Sequence, residues 1–272
     1  MMSLTDNKQK RKQTEHSSVL GVMAKFWQPG RVKTRLGSTI GMERSAQLHQ
    51  LFVGHLLSEM TGDESGKRGW HTQWVSSPSD CLEVSRQQIS LWNLEQNEQC
   101  VDVVDQGEGD LGDRMYRWFD RQLGADDLAA HEPPKREAIF QKAILIGADC
   151  PLICRSDITL ALEKLRHSDA VLGPAADGGY YLIGFRAPLN PQTKRVFSEI
   201  AWSQDDVFDV TCQRIKEVGM TVSFLPTQED VDTEVELNRL RTSLAENFPT
   251  SAASVKRLSE SIDQVLKTEH ES

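Results

Sequence analysis

Ala143-Ile144-Leu145-Ile146-Gly147-Ala148, running into Asp149-Cys150-Pro151, is the stretch whose reading decides the fold. An unbroken apolar run this short, closed by turn formers, has the pattern of a strand covered on both faces. Asp149 then stands at the mouth of a buried strand. A carboxylate there is costly unless it meets a metal, a donor group or a helix N-terminus. The next helix opens near Ser156, too far downstream for Asp149 to be its N-cap.

Outward from this strand, apolar runs alternate with helical periodicity. Val19 to Phe26 reads as a first buried strand ending in Pro29-Gly30. Ala46, Leu48, Leu51, Phe52, Leu56 and Met60 recur at helical spacing from about Glu43. Gly62 to Gly69 is a polar connection. His71–Val75 and Val101–Asp105 are further strands, with Asp80 as the cap of a short helix between them. A helix over about 111–123 carries Met115, Trp118, Phe119 and Leu123 on one side, with Asp110 as its N-cap. Gly124 to Glu137, with Pro133-Pro134, reads as a surface insertion. Ser156 caps the helix bearing Ile158, Leu160, Leu162 and Leu165.

Ala170–Gly173 and Tyr180–Phe185 flank an Asp-Gly-Gly turn, Val207–Val218 is a helix and Thr221–Leu225 a strand. Thr233-Glu234-Val235-Glu236 is a capping-box pattern, and Val255, Leu258, Ile262, Val265 and Leu266 mark a last amphipathic helix. Strands alternating with helices imply an α/β protein with a mostly parallel central sheet and helices on both faces. The organisation expected is a disordered tail over 1–18, a single domain over 19–241 and a helical extension over 242–272.

The 272 residues carry a formal net charge of −9, which argues against broad binding to nucleic acid or an anionic membrane. No apolar run approaches the roughly 18 residues of a membrane span, and no signal-like stretch follows the polar N-terminus, so a cytoplasmic protein is expected. The five cysteines include Cys150 and Cys154 at C-x-x-x-C spacing, but no second Cys/His pair joins them; they read as reduced structural thiols. Histidine pairing for zinc, a G-x-S-x-G elbow and a Walker loop are all missing.

Against this acidic background, Pro29-Gly30-Arg31-Val32-Lys33-Thr34-Arg35 stands out. Composition alone gives a solvated basic face; position directly after the first buried strand points instead to phosphate. In an extended segment Arg31, Lys33 and Arg35 would face one way, and Gly30 would let the backbone approach a ligand. Asp177-Gly178-Gly179 is a strong hairpin signal that needs no chemistry, although Asp177 could accept a hydroxyl proton or a metal bond and the glycine amides could reach a sugar or phosphate. Asp230 and Asp232 would share a face if extended. The dipole of the following helix explains one of them, not both. With Asp149 they could form an oxygen-ligand set for Mg²⁺ or Mn²⁺. Trp202 reads mainly as a core residue. In parallel sheets ligands collect beyond the carboxyl ends of the strands, where three of these four motifs fall.

Together these motifs resemble a family of bacterial glycosyltransferase-like proteins with the GT-A fold, within the nucleotide-diphospho-sugar transferase superfamily. The matching stretches are Met23–Phe26 with Pro29–Leu36, Gly109–Gly112, Arg114-Met115, Ile146–Pro151, Gly173–Ala175 with Asp177–Gly184, Trp202 and Asp230–Thr233. The resemblance implies a Rossmann-like fold, Lys25, Gly30, Arg31, Lys33, Arg35, Gly178 and Gly179 at the donor and its phosphates, and Asp149 and Asp232 on the metal. The expected reaction is glycosyl transfer from a nucleotide-diphosphate sugar to a small-molecule acceptor, with Asp177 as the candidate base. Nucleotidyl transfer from a nucleoside triphosphate to a phosphorylated acceptor is the alternative, and a nucleotide-binding regulatory module a third.

Overall fold

The computed structural model describes residues 17–61, 69–95, 101–124, 138–202, 204–247 and 252–267. Residues 1–16 of the tail expected over 1–18, most of the Gly62–Gly69 connection, the Pro133-Pro134 insertion and the end after Lys267 lie outside the described residues, and Ser18 already belongs to the first strand.

The strands are β1 (Ser18–Lys25), β2 (His71–Ser77), β3 (Val101–Asp105), β4 (Lys142–Gly147), β5 (Ala170–Pro174), β6 (Tyr180–Arg186) and β7 (Val222–Phe224). The helices are α1 (Thr34–Ile40), α2 (Met42–Thr61), α3 (Leu82–Glu95), α4 (Leu111–Leu123), α5 (Arg155–Lys164), α6 (Thr193–Phe197), α7 (Val207–Glu217), α8 (Glu234–Asn247) and α9 (Ala253–Lys267). One seven-stranded sheet has the order β3-β2-β1-β4-β6-β5-β7. β1 runs parallel to β2 and β4, β2 to β3, and β5 to β7. β6 is antiparallel to both its neighbours.

Side-chain alternation along the central strands explains why both faces need helices. Leu20 and Val22 of β1, with Ile144 and Ile146 of β4, pack against Val53, Leu56 and Met60 of α2 and Ile158 of α5. Val19 and Leu145 face the opposite way, onto Met115, Trp118 and Phe119 of α4 and Ile215 of α7. A third cluster lies beside the sheet. It joins Leu36 of α1, Phe52 of α2, Val231, Leu237 of α8, and Leu258 and Ile262 of α9. The segment carrying the basic motif and the segment carrying the last acidic motif therefore share one apolar anchor.

Two expected caps differ. Pro78 precedes the 3₁₀ turn Ser79–Cys81, and Asp80 lies inside that turn rather than capping it. Before α5 the N-cap is Cys154: its amide donates to Asp157 Oδ2 at 2.9 Å, so the helix starts a residue before Ser156 and Ser156 falls in its first turn. Asp110 does cap α4, accepting from the Asp113 amide at 2.8 Å.

Candidate active site at the carboxyl edge of the sheet

The strand order reverses between β1 and β4, so the loops that leave their carboxyl ends diverge and open a cleft. Its β1 wall is well anchored. Phe26 N donates to Ser77 O at 2.7 Å, and Trp27 stacks between Phe26 and Trp74 at ring separations of 4.5 and 5.3 Å. His49 of α2 holds the Lys25 carbonyl at 3.0 Å through Nε2. That acceptor fixes the tautomer: Nε2 carries the proton, and Nδ1 has no partner among the described residues. Burial, then the nearby Lys33 ammonium, push the imidazole pKa down to about 4.

The basic motif does not run extended. A turn closes from Gln28 O to Arg31 N at 3.0 Å, and α1 begins at Thr34. Val32 and Leu36 are drawn into the interior, and that packing holds Lys33 in the left-handed region at φ 42°. The expected one-sided array of three cations is therefore broken. Arg31 and Arg35 stay exposed, while the Lys33 side chain turns inward and is only 2% exposed.

Lys33 Nζ donates to Asp149 Oδ1 at 2.5 Å and to the Val231 carbonyl at 2.7 Å, and stands 3.6 Å from Asp232 Oδ1. Arg35 Nη2 lies 3.5 Å from the other oxygen of Asp232. A backbone bond from Val231 N to Asp149 O at 2.9 Å ties the loop after β4 to the loop that enters α8. Burial works against the ammonium's charge, but Asp149 and then Asp232 outweigh it and raise the Lys33 pKa. Desolvation likewise opposes the Asp149 charge and is overcome by the Lys33 contact, which holds that carboxyl below its usual range. Asp232 is raised, by desolvation and by Asp149, against the pull of Lys33 and Arg35.

These groups open onto one cleft of about 620 Å³ whose wall includes Lys25, Arg31, Arg35, Asp149, Asp232 and Trp202. It continues past Arg31 and Arg114 into a second hollow that includes Gly30. Gly30 has φ 74° and open space where a side chain would stand, so the backbone is bare there. The remaining expected site residues lie elsewhere. Asp177, Gly178 and Gly179 form the β5–β6 turn and do not line the cleft. Gly178, at φ 90°, sits so tightly on the Asp205 backbone that any Cβ would collide with it; its packing accounts for the glycine. Asp230 is 8% exposed and outside the cleft wall; desolvation and then Asp177 push its carboxyl up to about 6.

Two cleft residues, His49 and Gln106, carry no functional signal in the sequence, and a third, Arg114, stands in a quoted motif without a role of its own. His49 sits on an apolar helical face and looks like core. Gln106 follows β3; its amide donates to Val75 O at 2.9 Å and Ala24 O at 3.4 Å, pinning neighbouring strand ends. Arg114 bonds Gly109 O at 2.9 Å and Gln106 Oε1 at 3.4 Å. Its place in the Arg114-Met115 motif is the signal that pointed to it. Trp202, read as core, packs partly on the α4 side of the sheet and also walls the cleft.

Asp149 and Asp232 are both partly open, with side chains 53% and 30% exposed, and are all-oxygen donors of the kind Mg²⁺ and Mn²⁺ take. Among the described residues no group of three or more His, Cys, Asp or Glu side chains converges as a metal site. The pair therefore fits an ion whose shell phosphate oxygens and water complete.

This sheet, with a cleft at its switch point, is the fold of nucleotide-diphospho-sugar transferases. A structure from Desulfovibrio desulfuricans, named "putative nucleotide-diphospho-sugar transferase", is 28% identical over 93% of this chain and 97% of its own, with a TM-score of 0.68. A cytidylyltransferase from Leptospira borgpetersenii is 11% identical over 94% of this chain and 98% of its own, with a TM-score of 0.49. Residues 70–204 match the DUF2064 family, described as "Uncharacterized protein conserved in bacteria". No curated protein matches the chain. Among the described residues no helix is long and apolar enough to cross a membrane.

Proposed function

We propose that this protein is a metal-dependent transferase acting on a nucleotide-activated donor, and that its reaction is glycosyl transfer from a nucleotide-diphosphate sugar to a small-molecule acceptor. The observation that carries the reading is the convergence of Lys25, Arg31 and Arg35 with Asp149 and Asp232 on one cleft. The likeness to the Desulfovibrio protein supports the same class.

In this reading Lys25, Arg31 and Arg35 neutralise the donor phosphates, the two arginines by paired N–H donors. Gly30 lets the diphosphate lie against the backbone. Asp149 and Asp232 hold Mg²⁺ or Mn²⁺, which when bound supplies positive charge to the departing diphosphate. Trp202 and the exposed Leu111 offer an apolar wall for a base or sugar ring. Asp177, Gly178 and Gly179 shape the turn between β5 and β6, Asp230 is buried outside the cleft wall, and in this reading none of them is given a part in the reaction.

One observation favours nucleotidyl transfer as the second reading. Among the described residues of this wall the carboxylates are already engaged: Asp149 and Asp232 with cations, Asp110 with a helix N-terminus. Inverting glycosyl transfer to a hydroxyl needs a base, whereas a phosphorylated acceptor is already anionic. Incubation with panels of nucleotide sugars and nucleoside triphosphates separates the two. Release of a nucleoside diphosphate is expected from the first, pyrophosphate from the second. Tight binding with release of neither would point to a regulatory module instead.

A further inference from the structure

We propose that Lys33 is a resident counter-cation that reserves the Asp149–Asp232 pair for a metal ion arriving with a polyphosphate, and turns the bare ion away. The inference rests on the metal-dependent reading above and assigns Lys33 a role different from that of its two basic neighbours.

Three observations carry it. First, the ammonium already contacts one oxygen of each carboxylate, 2.5 Å from Asp149 Oδ1 and 3.6 Å from Asp232 Oδ1, while the Asp149 side chain stays 53% exposed to the cleft. With Arg35 also 3.5 Å from Asp232, two negative charges face two positive ones, so a divalent ion alone meets no unneutralised charge. A metal bound to a diphosphate brings its own negative charge, which Arg31, Arg35 and Lys25 on the same wall can take up. Second, Lys33 cannot readily swing out to serve as a phosphate ligand. Its side chain is 2% exposed, its ammonium lies 5.5 Å over the Phe52 ring, and it is also held by the Val231 carbonyl. Third, its backbone is fixed by tertiary packing: Lys33 is the N-cap of α1, with flanking Val32 and Leu36 buried. Lys33 is thus a positioning residue that presets the loop after β4 and the loop that enters α8; Arg31 and Arg35 meet the ligand.

The test is Mn²⁺ binding to the full chain, read from the electron paramagnetic resonance of the free ion, with and without nucleoside diphosphate, the Mn²⁺ taken by the nucleotide alone being measured without protein and subtracted. Wild type is expected to take up Mn²⁺ weakly alone and more tightly with nucleotide. Lys33→Met, close in length but uncharged, should bind Mn²⁺ without nucleotide about tenfold or more tightly than wild type, because the pair loses its internal cation. Lys33→Gln, which keeps a donor for the Val231 carbonyl, should move the same way and serves if the methionine variant folds poorly. Adding Asp149→Asn to either should abolish the gain. Equal Mn²⁺ affinity of wild type with and without nucleotide overturns the role given to Lys33, as does an unchanged affinity in the variants or a gain that survives Asp149→Asn. A wild type that takes up no Mn²⁺ in either condition overturns the metal-dependent reading itself.

Discussion

Two groups of carboxylates stand at the same edge of the sheet, and one member of each, Asp149 and Asp230, is pushed in opposite directions by its surroundings. Asp149 is pressed against a buried ammonium that holds its carboxyl low, with Asp232 on the far side of the same cation. Asp230 is buried near Asp177, and its carboxyl rises to about 6. All belong to acidic motifs that read alike on paper. What separates them is where Lys33 goes: one buried cation makes the first group an organised, charged cleft and leaves the second a structural corner.

The largest expected effect tests the compensated side. Asp149→Ala leaves the Lys33 ammonium facing a longer contact to Asp232 and one carbonyl. Breaking such a pair should cost about 2–3 kcal/mol in chemical denaturation without metal, toward the low end for buried pairs because water reaches Asp149. A loss below about 0.5 kcal/mol would mean that the ammonium is solvated and the contrast false.

On the uncompensated side, Gly178→Ala forces a side chain into the Asp205 backbone at a left-handed position. It should lower stability by about 2 kcal/mol while sparing nucleotide binding. Loss of nucleotide affinity in a still-folded variant would return the Asp-Gly-Gly turn to the ligand site.

Asp230 gives the pH signature. Its folded pKa lies above the unfolded value of 3.8, so the folded state binds more protons between 3.8 and about 6. Ionised Asp230 therefore costs stability in full above about pH 6, and the cost fades as pH falls towards 3.8. Asp230→Asn should melt higher than wild type at pH 7 to 8 in chelator, by about 1–2 kcal/mol, and match it near pH 4. A difference independent of pH would show that the carboxylate is not electrostatically strained. Asp149 has the opposite sign: its contribution is present above the unfolded pKa and lost as pH falls through the lower folded one.

The smallest effect on stability falls on the exposed cations. Arg31→Ala and Arg35→Ala should leave folding within about 0.5 kcal/mol and weaken nucleotide binding about tenfold each. Calorimetry checks the second and a denaturant titration the first.

The sheet was legible because continuous apolar runs such as Ala143–Ala148 mark strands buried on both faces, and Asp110 capped α4 as its pattern announced. The site was legible in its members more than in its geometry. No local rule places a lysine in the left-handed region; Lys33 goes there because Val32 is buried and Leu36 finds the third apolar cluster, formed with α8 and α9 far along the chain. His49 was hidden on an apolar face, and the Cys154 cap by a residue type that seldom plays that part.

The β1 loop, the end of β4 and the loop that enters α8 should act as one site for a metal-bound nucleotide. A thermal-shift matrix tests it most directly: Mg²⁺ or Mn²⁺ alone, nucleotide alone and both together, on wild type and Asp149→Asn. A rise in melting temperature with both together that exceeds the sum of the separate shifts, and that vanishes in Asp149→Asn, is the result predicted. Shifts that merely add, or a coupled shift unchanged by Asp149→Asn, would contradict it.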